Sequence, residues 1–121
     1  MNPAFLDEHT AAHVAELFRS FSDTSRVRII YAILDQEMNT SGLAELISLT
    51  PSAVSHHLRG LRQMNIVRAR REGKEVYYSV VDPHIVALFR QGVGHVLENQ
   101  GQSTKTKSSR SIPNKLQRGT K

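Results

Sequence analysis

Apolar residues recur at helical spacing over the first half of the chain. Ala11, Val14, Ala15, Leu17, Phe18 and Phe21 share one side of a first helix. Asp23 and Ser25 then offer N-caps, since a short oxygen-bearing side chain can accept from the free N–H groups of a new helix. Val27, Ile30, Tyr31, Ile33 and Leu34 continue the pattern as a second helix. Leu43, Leu46 and Ile47 mark a short third one. Thr50-Pro51 is a cap followed by proline at the first helical position, where its missing N–H is no loss. This fourth helix runs to about Met64, and Asn65 suits the left-handed conformation that ends a helix.

From Val67 the period changes to two. Val67 and Ala69 alternate with Arg68 and Arg70, and Val76, Tyr78 and Val80 alternate again after Arg71-Glu72-Gly73-Lys74. That is a short hairpin with a charged, glycine-containing turn. Asp82-Pro83 then opens a last helix reaching about Glu98. The expected fold is mainly α with a small β-hairpin wing, ordered α-α-α-α-β-β-α: a winged helix-turn-helix with an additional C-terminal helix. Residues 1–99 are expected to form this winged helix-turn-helix domain. Residues 100–121 are poor in apolar side chains and cannot offset their ordering entropy, so a disordered basic tail is expected there.

On a wheel of 100° per residue, Leu58 and Leu61 fall within about 40° of Val54 and define the buried side of the fourth helix. Ser52, His56, Arg59 and Gln63 occupy the opposite side, with Ser55 and Arg62 toward one flank. Hydroxyl, imidazole, guanidinium and amide groups on one helical surface suit base edges and phosphates in a major groove. His57 falls at the margin of the buried side and is expected to pack or bond locally. A plain solvated surface would look similar, so the wing matters. Arg68, Arg70, Arg71 and Lys74 stand where a wing would straddle the backbone of a duplex, adding affinity but little sequence information.

Charge sharpens this picture. The 121 residues carry a net +5, but residues 101–121 hold six basic side chains and no acid. Without them the body is nearly neutral, with ten basic and eleven acidic side chains, and six of the ten basic ones fall between Arg59 and Lys74. A basic stripe on a near-neutral domain is the electrostatic footprint of a duplex binder. Zero cysteines exclude a disulfide framework and any thiolate metal site. No apolar run approaches the roughly 18 residues of a membrane span, and Met1 to Leu6 does not read as a signal peptide. A cytoplasmic location is expected.

The last helix carries Asp82, His84, His95 and Glu98, all ligand-type side chains. His84 and His95 are eleven residues apart and so share a face, at about 16 Å along the axis for a rise of 1.5 Å per residue. Two imidazoles that far apart cannot meet on one zinc with bonds of about 2 Å. A second, antiparallel copy of the helix solves this: Asp82 and His84 of one protomer meet His95 and Glu98 of the other, twice by symmetry. Two nitrogens and two oxygens suit tetrahedral zinc or cobalt. Val86, Phe89, Val93 and Val96 form an apolar stripe that supports such a homodimer. Each residue also has a plainer role: Asp82 as an N-cap, His84 as an exposed side chain, His95 and Glu98 as a surface pair. His9 and His13, four residues apart on the first helix, form a second candidate metal pair or a pair of exposed histidines.

Three segments resemble the ArsR/SmtB family of metal-responsive winged-helix repressors: Phe21-Ser22-Asp23-Thr24-Ser25-Arg26-Val27-Arg28-Ile29-Ile30, Pro51-Ser52-Ala53-Val54-Ser55-His56-His57-Leu58-Arg59-Gly60-Leu61-Arg62, and Arg71-Glu72-Gly73-Lys74-Glu75-Val76-Tyr77-Tyr78. The stretches Asp82-Pro83-His84 and His95-Val96-Leu97-Glu98 are similar to that family's C-terminal-helix zinc site. The resemblance spans roughly residues 10–100. It implies a metal-free dimer that holds an inverted-repeat operator and represses efflux or sequestration genes until zinc or cobalt releases it. It also implies a contact from the non-ligating nitrogen of His95 to a carbonyl near Met64. The third-helix segment from Asn39 to Leu46 lacks the cysteines with which other branches sense soft metals. Two other readings stay open: a winged-helix regulator not controlled by metal, and a nickel-responsive variant recruiting His9 or His13. An enzyme is not expected, since neither a phosphate-binding glycine loop nor an activated nucleophile is evident.

Overall fold

The computed structural model describes residues 5–105. Its elements are α1 (Glu8–Ser20), α2 (Thr24–Ala32), β1 (Met38–Asn39), α3 (Thr40–Ile47), α4 (Pro51–Gln63), β2 (Arg68–Glu72), β3 (Glu75–Ser79) and α5 (Pro83–Lys105). Residues through Val86 form one compact unit and those from Ala87 a second.

Capping explains most of the boundaries. Asp23 accepts from Arg26 N–H and starts α2, so Ser25 lies inside the helix rather than before it. Thr50 caps α4 through Ala53 N–H, and Asn65 ends that segment with φ of 62°. Asn39 caps α3 through Gly42 N–H at 2.8 Å.

The first unit is organised around apolar side chains from three helices. Ile29 and Ile30 of α2, Leu43 of α3, and Val54, Leu58 and Leu61 of α4 are fully buried, together with Ile33 just beyond α2. Each such side chain contributes about 1.5–3 kcal/mol by leaving water. In contrast, α1 buries none of its residues; Val14 and Phe18, on its apolar side, stay 39% and 48% exposed.

The sheet has three strands, in the order β1-β3-β2, all antiparallel. The hairpin is as expected, but its loop is only Gly73-Lys74, with Gly73 at φ 64°. A positive φ at the first position of a two-residue loop favours glycine strongly. The strand β1 has no counterpart in the periodicity. Two residues are too few to show alternation, and Met38 and Asn39 become a strand only by pairing with Tyr78 and Tyr77. The last helix reaches Lys105 rather than Glu98, entering the stretch expected to be tail. Residues 106–121 of that expected tail lie outside the described residues.

Candidate nucleic-acid interface and metal centre

The amphipathic division of α4 is the one the wheel requires. Val54, Leu58 and Leu61 point inward, while Ser52, His56, Arg59, Arg62 and Gln63 are exposed and Ser55 is half-buried. Ser55, Arg59, Arg62 and Gln63 line an open cleft whose other wall is Tyr78 of β3. The helix α4 and the β2–β3 hairpin therefore flank one concave surface with guanidinium, amide and hydroxyl groups around it.

A buried-side device holds α4. Arg26 of α2 donates from Nε to His57 Nδ1 (3.1 Å) and from Nη1 to Ser20 O (2.8 Å). A ring nitrogen that accepts leaves the proton on Nε2, which faces Asp23 Oδ2 at 4.0 Å. His57 thus bonds locally and His56 faces outward, as expected. Gly60 belongs to the same device: a Cβ there would sit 2.8 Å from Arg26 Nη2. Glycine inside a helix costs about 1 kcal/mol, and here the cost is explained by room for a guanidinium between two helices.

The wing cations divide into two kinds. Arg68, Arg71 and Lys74 are exposed and make no ion pair among the described residues. Arg70 is engaged. Its Nε and Nη2 bond both oxygens of Glu37 at 2.8–3.1 Å, its Nη1 bonds Glu72 at 2.9 Å, and it lies 5.2 Å from the centre of the Tyr77 ring. The Arg70 hydrogen bond holds the Glu37 carboxyl below its usual pKa, and the two carboxylates raise that of the guanidinium. Beside it, Asn39 donates to Glu75 of β3 while capping α3, tying the wing to the helix-turn-helix. Glu37, Asn39 and Arg26 were not singled out in the sequence. Their partners are 31 to 36 residues away and only the sheet and the α2–α4 packing bring them together.

This division has a measurable consequence. Log affinity for DNA falls with log salt in proportion to the phosphates neutralised. Arg71→Ala should flatten that slope by about 0.9 per protomer. Arg70→Ala should leave the slope unchanged while weakening binding at every salt concentration, because it frees the wing rather than a phosphate. A salt series of anisotropy titrations on both variants separates them; equal slope changes would return Arg70 to the phosphate-contacting set.

At the start of α5, Asp82 Oδ1 accepts from His84 N–H at 2.8 Å, the N-cap role its sequence position allows. The same oxygen lies 2.9 Å from His84 Nδ1. The bonds to the His84 ring and backbone hold the Asp82 carboxyl below the usual carboxylate pKa. Both side chains reach solvent, His84 at 92% and Asp82 at 45% exposure. Further along, the Asn99 amide donates to His95 Nε2 at 3.2 Å, and Glu98 is exposed. Among the described residues no three His, Asp or Glu side chains gather closely enough to hold a metal. Asp82 also lines a cleft with Arg62 of α4 and Arg68 of β2.

Comparison with known proteins bears on this surface directly. A profile described as bacterial regulatory protein, arsR family, matches residues 23–69, from the α2 cap to the second residue of β2. A transcriptional repressor SmtB homolog from Synechocystis is 37% identical over 99 residues, which is 82% of this chain and 75% of that protein. The chain belongs to the arsR family of bacterial regulatory proteins. The HTH-type transcriptional regulator NmtR of Mycobacterium tuberculosis is 34% identical over 90 residues, 74% of this chain and 75% of its own. Among solved structures, the AntR antimony-specific transcriptional repressor superposes with a TM-score of 0.71 at 26% identity, covering 84% of this chain and 96% of that one. As an arsR-family member the chain is a DNA-binding transcriptional regulator with a winged helix-turn-helix, and not an enzyme. Among the described residues no helix is long and apolar enough to cross a membrane.

Proposed function

We propose that this arsR-family regulator is a cytoplasmic zinc- or cobalt-responsive repressor that binds an inverted-repeat operator as a metal-free homodimer and is released by the metal. The observation that carries the metal half is the Asp82–His84 pair. A carboxylate oxygen and an imidazole nitrogen stand 2.9 Å apart, exposed, at the first turn of a long helix. Ligands on one cation stand about 3 Å apart, so the pair fits half of a site once the ring proton that now bonds the carboxylate is displaced or His84 turns its other nitrogen to the cation. The other half comes from the partner's His95 and Glu98, and symmetry makes two such sites. Two nitrogens with two oxygens favour a borderline divalent cation, and the absence of cysteine disfavours a soft one.

A divalent cation at this site supplies positive charge that holds the two α5 helices together. What this chain contributes is coupling. Asp82 shares a cleft with Arg62 and Arg68, so a change in its carboxylate is felt beside one cation of the reading helix and one of the wing. The relatives support a metal stimulus, since one is named a cadmium resistance regulatory protein and a structural neighbour an antimony-specific repressor.

The dimer is supported by surfaces that one chain leaves open. Val14 and Phe18 on α1, and Val96 and Leu97 on α5, are at least 39% exposed. A Cβ at Gly92 or Gly94 would meet nothing within 4 Å in the same chain.

The test is DNA anisotropy on an inverted repeat from the protein's own promoter region, with zinc titrated at fixed salt. Zinc is expected to weaken binding by roughly 5–150-fold, the usual range for coupled sites. Tight binding indifferent to zinc and cobalt would favour a winged-helix regulator not controlled by metal. Release by nickel alone, with six-coordinate spectra, would favour the nickel-responsive variant.

A further inference from the structure

His57 leaves α4 at the margin of its buried side, with its side chain 20% exposed. Its Nδ1 accepts from Arg26 Nε at 3.1 Å, a bond that only the neutral ring can make. Arg26 is fixed at three further points. Its Nη1 donates to Ser20 O at the end of α1, its backbone N–H donates to Asp23 at 3.0 Å, and its Nη2 lies in the notch left by Gly60. One side chain of α2 therefore touches the end of α1 and the back of α4 together. The charged and titratable groups around the ring are Arg26 and Asp23, from α2 and its cap, and His56 of α4, whose ring centre is 6.1 Å away. The end of α1 presents the Ser20 carbonyl, which Arg26 occupies.

We propose that neutral His57 is a positioning residue for DNA recognition, fixing α4 through Arg26, and that a second ring proton releases α4 and costs the protein its discrimination between operator and unrelated duplex. The inference rests on α4 reading the duplex and not on any metal at α5. A guanidinium only donates, and so does each nitrogen of an imidazolium. Protonation therefore breaks the 3.1 Å bond and leaves two like charges facing each other. Asp23 relieves this only after movement, since its Oδ2 is 4.0 Å from Nε2 and already accepts from Arg26 N–H. With Arg26 held elsewhere, the ring is the part that moves, and α4 loses this polar tie to α2. The buried contacts of Val54, Leu58 and Leu61 remain, so the domain stays folded. What changes is how closely Ser52, His56, Arg59 and Gln63 are held in register with the bases. Base contacts need that register, whereas phosphate contacts tolerate its loss. Simple electrostatics has the opposite sign, because a proton on exposed His56 adds a cation and tightens binding to any sequence.

The test compares the full-length protein with His57→Asn, whose amide oxygen accepts in the place of Nδ1 and takes up no proton. A chelator is present throughout, so the outcome is independent of metal. Affinity is read by anisotropy at fixed salt from about pH 8 to about pH 5, the span in which histidines change charge. The probes are the promoter inverted repeat and a scrambled duplex of the same length and composition. As pH falls, the ratio of the two affinities is expected to drop about 3–10-fold in the unsubstituted protein, the worth of one hydrogen bond, and to stay level in His57→Asn. Affinity for the scrambled duplex should rise in both. A ratio that drops equally in both proteins overturns the proposal, as does one that stays level in the unsubstituted protein. A second measurement decides if His57→Asn does not fold, or if the ratio is near one already at pH 8 because the promoter repeat is not the operator. Amide exchange along α4 in the unsubstituted protein must then speed up as His57, followed by its imidazole nitrogen shifts, takes up its proton. Exchange that ignores His57, or that follows His56 instead, overturns the proposal.

Discussion

His95→Ala binds operator DNA within about twofold of the unsubstituted protein, and zinc no longer releases it. The first half of this expectation follows from position. His95 is on α5, well outside the Ser52–Lys74 segment that carries the proposed DNA contacts, and its side chain is exposed. Exposed substitutions of this kind usually change stability by less than about 0.5 kcal/mol. The second half follows from ligand count. With two ligands from each helix, removing His95 leaves three at each symmetric site and takes away one of only two nitrogens. Even supporting residues of metal sites typically cost 10–100-fold in affinity when lost, so a ligand should cost at least about that. Linkage supplies an independent check, because DNA must weaken zinc affinity by the same factor by which zinc weakens DNA affinity. Zinc titrations of free and operator-bound protein should therefore differ by roughly 5–150-fold, and by nothing in the variant. A variant that zinc still releases would remove His95 from the site and with it the proposed pairing of α5 helices.

Leu58→Ala should unfold the domain more readily than any surface change while its neighbour Arg59→Ala leaves stability untouched. Leu58 is 1% exposed on the inner side of α4, in the unit where α4 packs on α2 and α3. Truncating such a leucine loses its transfer free energy and leaves a cavity, about 2–5 kcal/mol in all. Against a typical total of about 5–15 kcal/mol this is a large share. Each kcal/mol moves the melting temperature of a domain this size by roughly 4–8 °C, so a drop of at least about 8 °C is expected. Arg59 is exposed one position later and should melt as the parent does, yet lose operator affinity. Thermal melts at equal protomer concentration, which the proposed dimer requires, decide it alongside anisotropy. If Leu58→Ala melts normally, α4 does not face the core as described.

The helices begun at Asp23, Thr50 and Asp82, and the periodic runs of the first and third helices, were legible because caps and periodicity are local. So was the division of α4, since 100° per residue puts Leu58 beside Val54 and Arg59 opposite without any tertiary information. The wing hairpin was legible from alternation and Gly73. What local rules could not supply was β1, a strand only because Tyr77 and Tyr78 offer it partners. Nor could they show that Arg70, indistinguishable in sequence from Arg68 and Arg71, is held by Glu37 from 33 residues earlier.

The chain by itself therefore determined its helices, the polar outer side of α4 and the set of ligand-type residues on its last helix, because each follows from spacing along one element. Tertiary structure decided which of those residues are available. Folding commits Arg70 to two carboxylates, gives Arg26 and Gly60 a shared place between α2 and α4, and sets Asp82 both as the cap of α5 and in a cleft with Arg62 and Arg68. The reason is that hydrogen bonds and ion pairs act over about 3 Å, and residues some thirty positions apart reach that distance only once the core has closed.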